Sequence, residues 1–180
     1  NLSDMNLTGI NFRGVNLHGA IFDRATLDNA NFENTNIANA SFIKSGLNYS
    51  TFYDVSAYTC YYVGWGQYCS GANLYDAAMY HTSIEKSRFQ HTNLSDTSMA
   101  WSKIVQSNFE EATIVSASFR DSYIFDSSFE QATLSQSSFY HSHLKHVDFL
   151  NAWLPQSSFQ DSDLFDVTYF GSYLDSASFY

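Results

Sequence analysis

The chain has 180 residues, with 18 Asp and Glu against 8 Lys and Arg and a formal net charge of −10, a balance that disfavours binding to nucleic-acid phosphate. A length of this order makes one domain the default, and a single Pro beside 8 Gly excludes a linker-like or disordered composition. No apolar run approaches the roughly 18 residues of a membrane span, and two cysteines, Cys60 and Cys69, are too few for a disulfide framework. No basic, apolar leader opens the sequence and Asn1 stands in place of an initiator Met. The chain therefore reads as a processed or excised piece, and with no targeting segment in view the expected compartment is the cytoplasm.

In chain order, a large apolar residue returns at every fifth position: Leu2, Leu7, Phe12, Leu17, Phe22, Leu27, Phe32, Ile37, Phe42, Leu47, Phe52. After a break the series resumes at Leu74, Met79, Ile84, Phe89 and Leu94 and runs to Phe159, Leu164, Tyr169, Leu174 and Phe179. Two residues before each stands a small or β-branched one, such as Ala20, Ala25, Ala30, Ala112, Ala117, Ser122 and Ala132. A period of five fits neither the 3.6 of a helix nor the 2 of a strand. Internal repeats of this kind decide the whole fold.

Ala30-Asn31-Phe32-Glu33-Asn34 and Ala72-Asn73-Leu74-Tyr75-Asp76 lie close to the pattern A(N/D)LXX, and on these residues the chain resembles the pentapeptide-repeat family over nearly its whole length. The resemblance implies an all-β fold: a right-handed quadrilateral parallel β-helix, a solenoid of four pentapeptides per coil, with the large and the small residue pointing inward. Ser often replaces Ala in the later repeats, which departs from the consensus but keeps the inward pattern. Four pentapeptides per coil would stack residues 20 apart. Phe12, Phe32 and Phe52 then form one column, and Phe89, Phe109, Phe129, Phe149 and Tyr169 another. Phe119, Phe139, Phe159 and Phe179 fall in line, while Leu94, Ile114, Leu134 and Leu154, and Ile84, Ile104, Ile124 and Leu144, supply two aliphatic columns. A bare five-residue repeat does not require this segregation by twenties, so it argues separately for four sides and about nine coils.

Phe52 and Leu74 are 22 residues apart, so the frame slips between them. One solution is a two-residue insertion near Gly64-Trp65-Gly66, which would stack Leu74 on the Phe12, Phe32, Phe52 column. The other is a loop of about seven residues, Val63 to Cys69, which keeps Phe over Phe and Leu over Leu and is preferred for that reason. It displays Trp65 at its tip. The chain is then one β-helix domain over 1–180, with a first block of coils over 1–62, a loop and frame shift over 63–73, and a second block over 74–180.

The residues give little to catalysis. His141, His143 and His146 have ligand-like spacing, but repeat positions put His141 and His146 on adjacent faces, so no metal site is expected. Glu110-Glu111 would need a cleft to desolvate them, which a convex rod lacks. The many Ser residues occupy repeat slots without a nucleophile elbow. No cofactor and no enzyme activity are expected.

What remains is surface. Residues 121–180 hold eight acids against Lys145 alone, which gives that third of the chain −7 of the total. Outward slots carry aromatics, among them Trp101, Trp153 and Tyr173, the last two 20 apart. Grouped exposed aromatics mark interfaces. The candidate protein-binding surface is therefore Trp65, Trp101, Trp153 and Tyr173 with Asp161, Asp163 and Asp166. The leading expectation is a non-enzymatic scaffold that binds a protein partner, with no direct nucleic-acid binding and no membrane span. The family resemblance implies an alternative, an acidic DNA mimic that occupies the DNA site of a bacterial type II topoisomerase such as gyrase and confers quinolone resistance. A further alternative is the targeting part of a larger secreted bacterial effector.

Overall fold

The computed structural model describes residues 1–33, 35–37, 40–52, 72 and 74–180, and the backbone of 61–63 and 66–68. Each repeat is built around one backbone event. Two positions after the large inward residue the chain takes a left-handed φ, at Gly9 and Gly14 but equally at Asp76 (54°), Gln131 (56°) and His141 (54°). Outside glycine such a φ is uncommon, and it is most costly for β-branched side chains. In the described repeats this slot holds Asp, Asn, Gln, His, Lys, Ser, Gly and a few larger residues, and never Val, Ile, Thr or Pro. The lone proline, Pro155, sits one position earlier, where a turn favours it. Four such bends close one coil.

Successive coils pair in parallel with a register of 20. One column runs Asn6, Thr26, Gly46, Ser83, Lys103, Tyr123, His143, Asp163. That column has eight levels, one fewer than the nine expected, or about 38 Å of rod at 4.8 Å per coil. On one side the pairing is long enough to form five short strands: β3 (Ser83–Glu85), β4 (Lys103–Val105), β5 (Tyr123–Phe125), β6 (His143–Lys145) and β7 (Asp163–Phe165), in parallel order β3-β4-β5-β6-β7. We number the faces by their inward columns. Leu74 to Leu174 line the first face, Met79 to Phe179 the second, Ile84 to Leu164 the third (the β3–β7 face), and Phe89 to Tyr169 the fourth.

The core is apolar, and aromatic along two opposite faces. Phe109 and Phe129 stack with centroids 4.7 Å apart, Phe139 and Phe159 at 4.8 Å, and the two columns meet edge to face, as Phe129 does with Phe139 at 6.0 Å and 89°. Phe139 and Leu144 are buried and Gln160 is exposed, as the inward and outward slots require.

The inward small residue differs from corner to corner for a reason of hydrogen bonding. At the corners after the first and fourth faces its N–H donates to the carbonyl of the large residue three positions back, as in Ala112 to Phe109 (3.0 Å) and Ala132 to Phe129 (3.1 Å). After the second face, from Thr82 to Ser142, that turn bond is replaced by a serine hydroxyl one coil on. Ser102 N–H donates to Ser122 Oγ (3.2 Å), Ser122 N–H to Ser142 Oγ (3.3 Å) and Ser142 N–H to Ser162 Oγ (3.1 Å). Each hydroxyl in turn donates to a carbonyl one coil back, Ser122 to Met99 (2.8 Å) and Ser142 to Phe119 (2.6 Å). At Ser102, Ser122 and Ser142 serine is thus a means of backbone satisfaction, since a buried N–H must find an acceptor.

The frame slip is longer than the seven residues expected. Ser41 pairs with Ala78 and Thr51 with Arg88, an offset of 37 in place of 20, so 17 residues are inserted. Phe52 stacks on Phe89 at 4.4 Å. Phe does lie over Phe, but two repeats further on than a seven-residue loop would place it, and the first ladder ends at Phe52 and not at residue 62. The physical reason is visible in the next first-frame slot. Ala57 is too small for a large inward site. Instead β1 (Tyr61–Val63) and β2 (Gly66–Tyr68) pair antiparallel inside the insertion. Gly64, Trp65, Cys60 and Cys69 lie outside the described residues. Deleting residues 54–70 brings Phe52 and Leu74 to the standard five-residue spacing. The shortened rod is expected to keep its stability within about 1 kcal/mol, because loop-closure terms vary slowly with length. Thermal unfolding of the deletion variant checks this; loss of the cooperative transition would contradict the 17-residue offset.

Candidate protein-interaction surfaces

Outward residues stack by twenties as the inward ones do, and this sorts the candidate residues onto two opposite sides of the rod. On the first face Trp153 pairs with Tyr173, and their rings stack at 4.0 Å and 8°. Around the adjoining corner stands Phe170. Phe170 is 78% exposed, Trp153 48% and Tyr173 44%. Gly171 makes the corner between Phe170 and Tyr173. Its φ is +71°, and a Cβ there would overlap the Asn151 side chain, so only glycine fits without displacement.

Trp101, Asp161, Asp163 and Asp166 lie across the rod, on and beside the β3–β7 face. Trp101, 54% exposed, occupies a left-handed slot at the corner leading into that face and stacks on His81 at 5.4 Å. The same corner column continues through Asp121 and His141, whose Oδ1 and Nδ1 are 2.5 Å apart, to Asp161. The His141 hydrogen bond, with the Arg120 guanidinium beside it, holds the Asp121 carboxyl below the usual carboxylate range, and the Asp161 carboxylate pushes the Tyr140 phenol up by hydrogen bonding to it. On the face itself Tyr123 stacks on His143 at 4.8 Å, and His143 Nδ1 meets Asp163 at 2.7 Å. At the far corner His146 lies between Asp126 (2.8 Å) and Asp166 (3.8 Å). The three histidines of one coil thus turn to carboxylates on neighbouring coils and not toward one another.

Sequence reasoning placed Trp153 and Tyr173 together and missed two grooves on the β3–β7 face. One, about 230 Å³, is lined by Trp101, Asp121, Tyr123, His141 and His143. The other, about 450 Å³, is lined by Lys103, Val105, Phe125, Asp126, Lys145 and His146. Reading the outward slots by twenties, Lys103-Tyr123-His143-Asp163 and Val105-Phe125-Lys145-Phe165, would have found both. Among the described residues no three His, Cys, Asp or Glu are placed to hold a metal ion. No helix is long and apolar enough to cross a membrane among those residues.

A rod of stacked five-residue turns, each coil in contact only with its neighbours, is the architecture of a repeat solenoid. Residues 1–34 match the profile of pentapeptide repeats (8 copies) and residues 102–179 that of the pentapeptide repeat region. The chain belongs to the pentapeptide-repeat family. No curated protein matches it. Among solved structures it is similar to HetL, a pentapeptide repeat protein involved in heterocyst differentiation regulation from the cyanobacterium Nostoc, at 16% identity over 99% of this chain and 88% of that one, TM-score 0.36. A pentapeptide repeat protein of the Arabidopsis thaliana thylakoid lumen aligns at 19% identity over 67% and 68%, TM-score 0.45. QnrB1, a plasmid-mediated fluoroquinolone resistance protein, aligns at 16% over 95% and 91%, TM-score 0.41.

Proposed function

We propose that the chain is a non-enzymatic binding scaffold that engages a protein partner through the aromatic corner formed by Phe170, Trp153 and Tyr173. The observation that carries this is the Trp153–Tyr173 stack, two large rings fixed in parallel at 4.0 Å while almost half exposed. Rigid, pre-stacked aromatics lose little conformational entropy on binding, and Trp and Tyr are the residues most enriched at binding hot spots. Trp153→Ala is expected to weaken the complex by about 2 kcal/mol, or about 30-fold in Kd, with little dependence on salt. The measurement is affinity capture from the source cell followed by titration of the recovered partner with wild type and variant. An unchanged Kd would end this reading.

A second reading, mimicry of DNA toward a type II topoisomerase, is favoured by one observation. Asp161, Asp163 and Asp166 share one coil, and the side chains of Asp163 and Asp166 are 79% and 74% exposed. Attraction of that origin is screened beyond about 8–10 Å at physiological salt. A gyrase supercoiling assay separates the two. Inhibition abolished by Asp161→Asn, Asp163→Asn and Asp166→Asn together, and untouched by Trp153→Ala, would replace the scaffold reading with the mimic.

A further inference from the structure

We propose that the larger groove on the β3–β7 face is a binding site for a small organic monocarboxylate with an aromatic or branched apolar body. Its floor is Val105 and Phe125, register neighbours on successive coils. Lys103 and Lys145 stand at its rim with Asp126 and His146 at the corner. A volume of about 450 Å³ falls in the range of small-ligand sites, roughly 300–1,000 Å³.

The charge pattern selects the ligand. Of the chain's 8 basic residues, set against 18 acids, four have a carboxylate to hand: Arg13 pairs with Glu33, Arg24 with Asp4, Lys86 with Glu85 and Arg120 with Asp121. Lys103 and Lys145 have no carboxylate partner among the described residues. Lys145 Nζ instead lies 5.5 Å from the Phe165 ring centroid. Asp126, the one carboxylate lining the groove, is already engaged by His146 at 2.8 Å. Two ammonium groups without counter-ions thus flank an apolar floor in a strongly acidic protein. A carboxylate accepting from both supplies the missing charge, and its apolar body covers Val105 and Phe125. A di- or trianion would meet repulsion from Asp126 and the net −10 without gaining from the floor. A neutral ligand would leave the lysines as they are.

The site lies across the rod from the Trp153–Tyr173 corner, so it stands or falls separately from the scaffold reading. The test is amide NMR on the whole chain, titrated with phenylacetate and, in parallel, with its neutral isostere phenylacetamide. Phenylacetate is expected to shift the amides of Val105, Phe125, Lys145 and His146 with a Kd on the order of 1 mM, as a ligand this small allows. Phenylacetamide should bind at least about five-fold more weakly, in keeping with the greater strength of charge-assisted hydrogen bonds. Lys103→Gln with Lys145→Gln should bring the acid down to the amide's affinity while the melting temperature holds, and the exposed rim position of both lysines keeps that variant folded. Equal binding of acid and amide, shifts confined to other faces, or an unchanged Kd in the double variant would each overturn the proposal. A blocked peptide, acetyl-Gly-Asp-Phe-Gly-amide, forms the last arm. If it binds more than about ten-fold tighter than phenylacetate, the occupant is a segment of a partner protein and the free-acid assignment is wrong.

Discussion

Phe129→Ala is expected to destabilise the rod by about 3–5 kcal/mol, the cost of a large cavity in a core that does not collapse around it. Phe129 is fully buried, stacks on Phe109 at 4.7 Å and Phe149 at 5.1 Å, and meets Phe119 and Phe139 edge to face. Its ring therefore touches aromatic neighbours on both adjoining coils and on the opposite column. Parallel pairing at a fixed coil spacing prevents the backbone above and below from closing in. Chemical denaturation with an unchanged slope measures the loss; a value below about 0.5 kcal/mol, the range of surface substitutions, would mean that the column is not packed.

Ser122→Ala, which removes a single oxygen, is expected to cost about 2–4 kcal/mol. The Ser122 hydroxyl accepts from the Ser102 N–H and donates to the Met99 carbonyl. Alanine leaves one buried donor and one buried acceptor unmatched, at about 1–3 kcal/mol each. Ser137→Ala provides the contrast. The Ser137 N–H already donates to Leu134 within its own turn at 3.1 Å, and its hydroxyl serves only the Ile114 carbonyl at 2.5 Å. That variant should lose clearly less. Equal losses for the two would refute the idea that serine replaces the turn bond on one side of the rod.

The inward architecture was legible because five-residue periodicity has no competing explanation and because Phe and Leu segregate by twenties. The turn was legible too, had the slot occupied by Asp76, Gln131 and His141 been read for what it lacks, namely β-branched residues. The length of the insertion was not legible. Val55, Ala57, Cys60 and Tyr62 pass as weak repeats on hydrophobicity alone, and only the ladder, with Ser41 against Ala78 and Thr51 against Arg88, shows the offset of 37. The candidate surface was half legible. Trp153 and Tyr173 declared themselves by spacing, whereas Trp101 was grouped with them although it stands beside the acids on the opposite side. The Lys103–Lys145 groove escaped notice because surface charge was summed over a stretch of sequence, and a sum conceals two cations gathered on one face.

The insertion has a geometric consequence. It leaves the rod between Phe52 of the fourth face and Leu74 of the first, the same edge that carries Phe170 and Tyr173. Leu74 and Leu174 are 100 residues apart in one column, which is five coils or about 24 Å. Along one edge the protein is therefore graduated like a ruler, with the insertion at one mark and the aromatic corner at another. Removing one whole coil of 20 residues between them would shorten the interval by about 4.8 Å and leave both ends chemically intact. A partner that grips both marks would register that single step, and one that grips either alone would not.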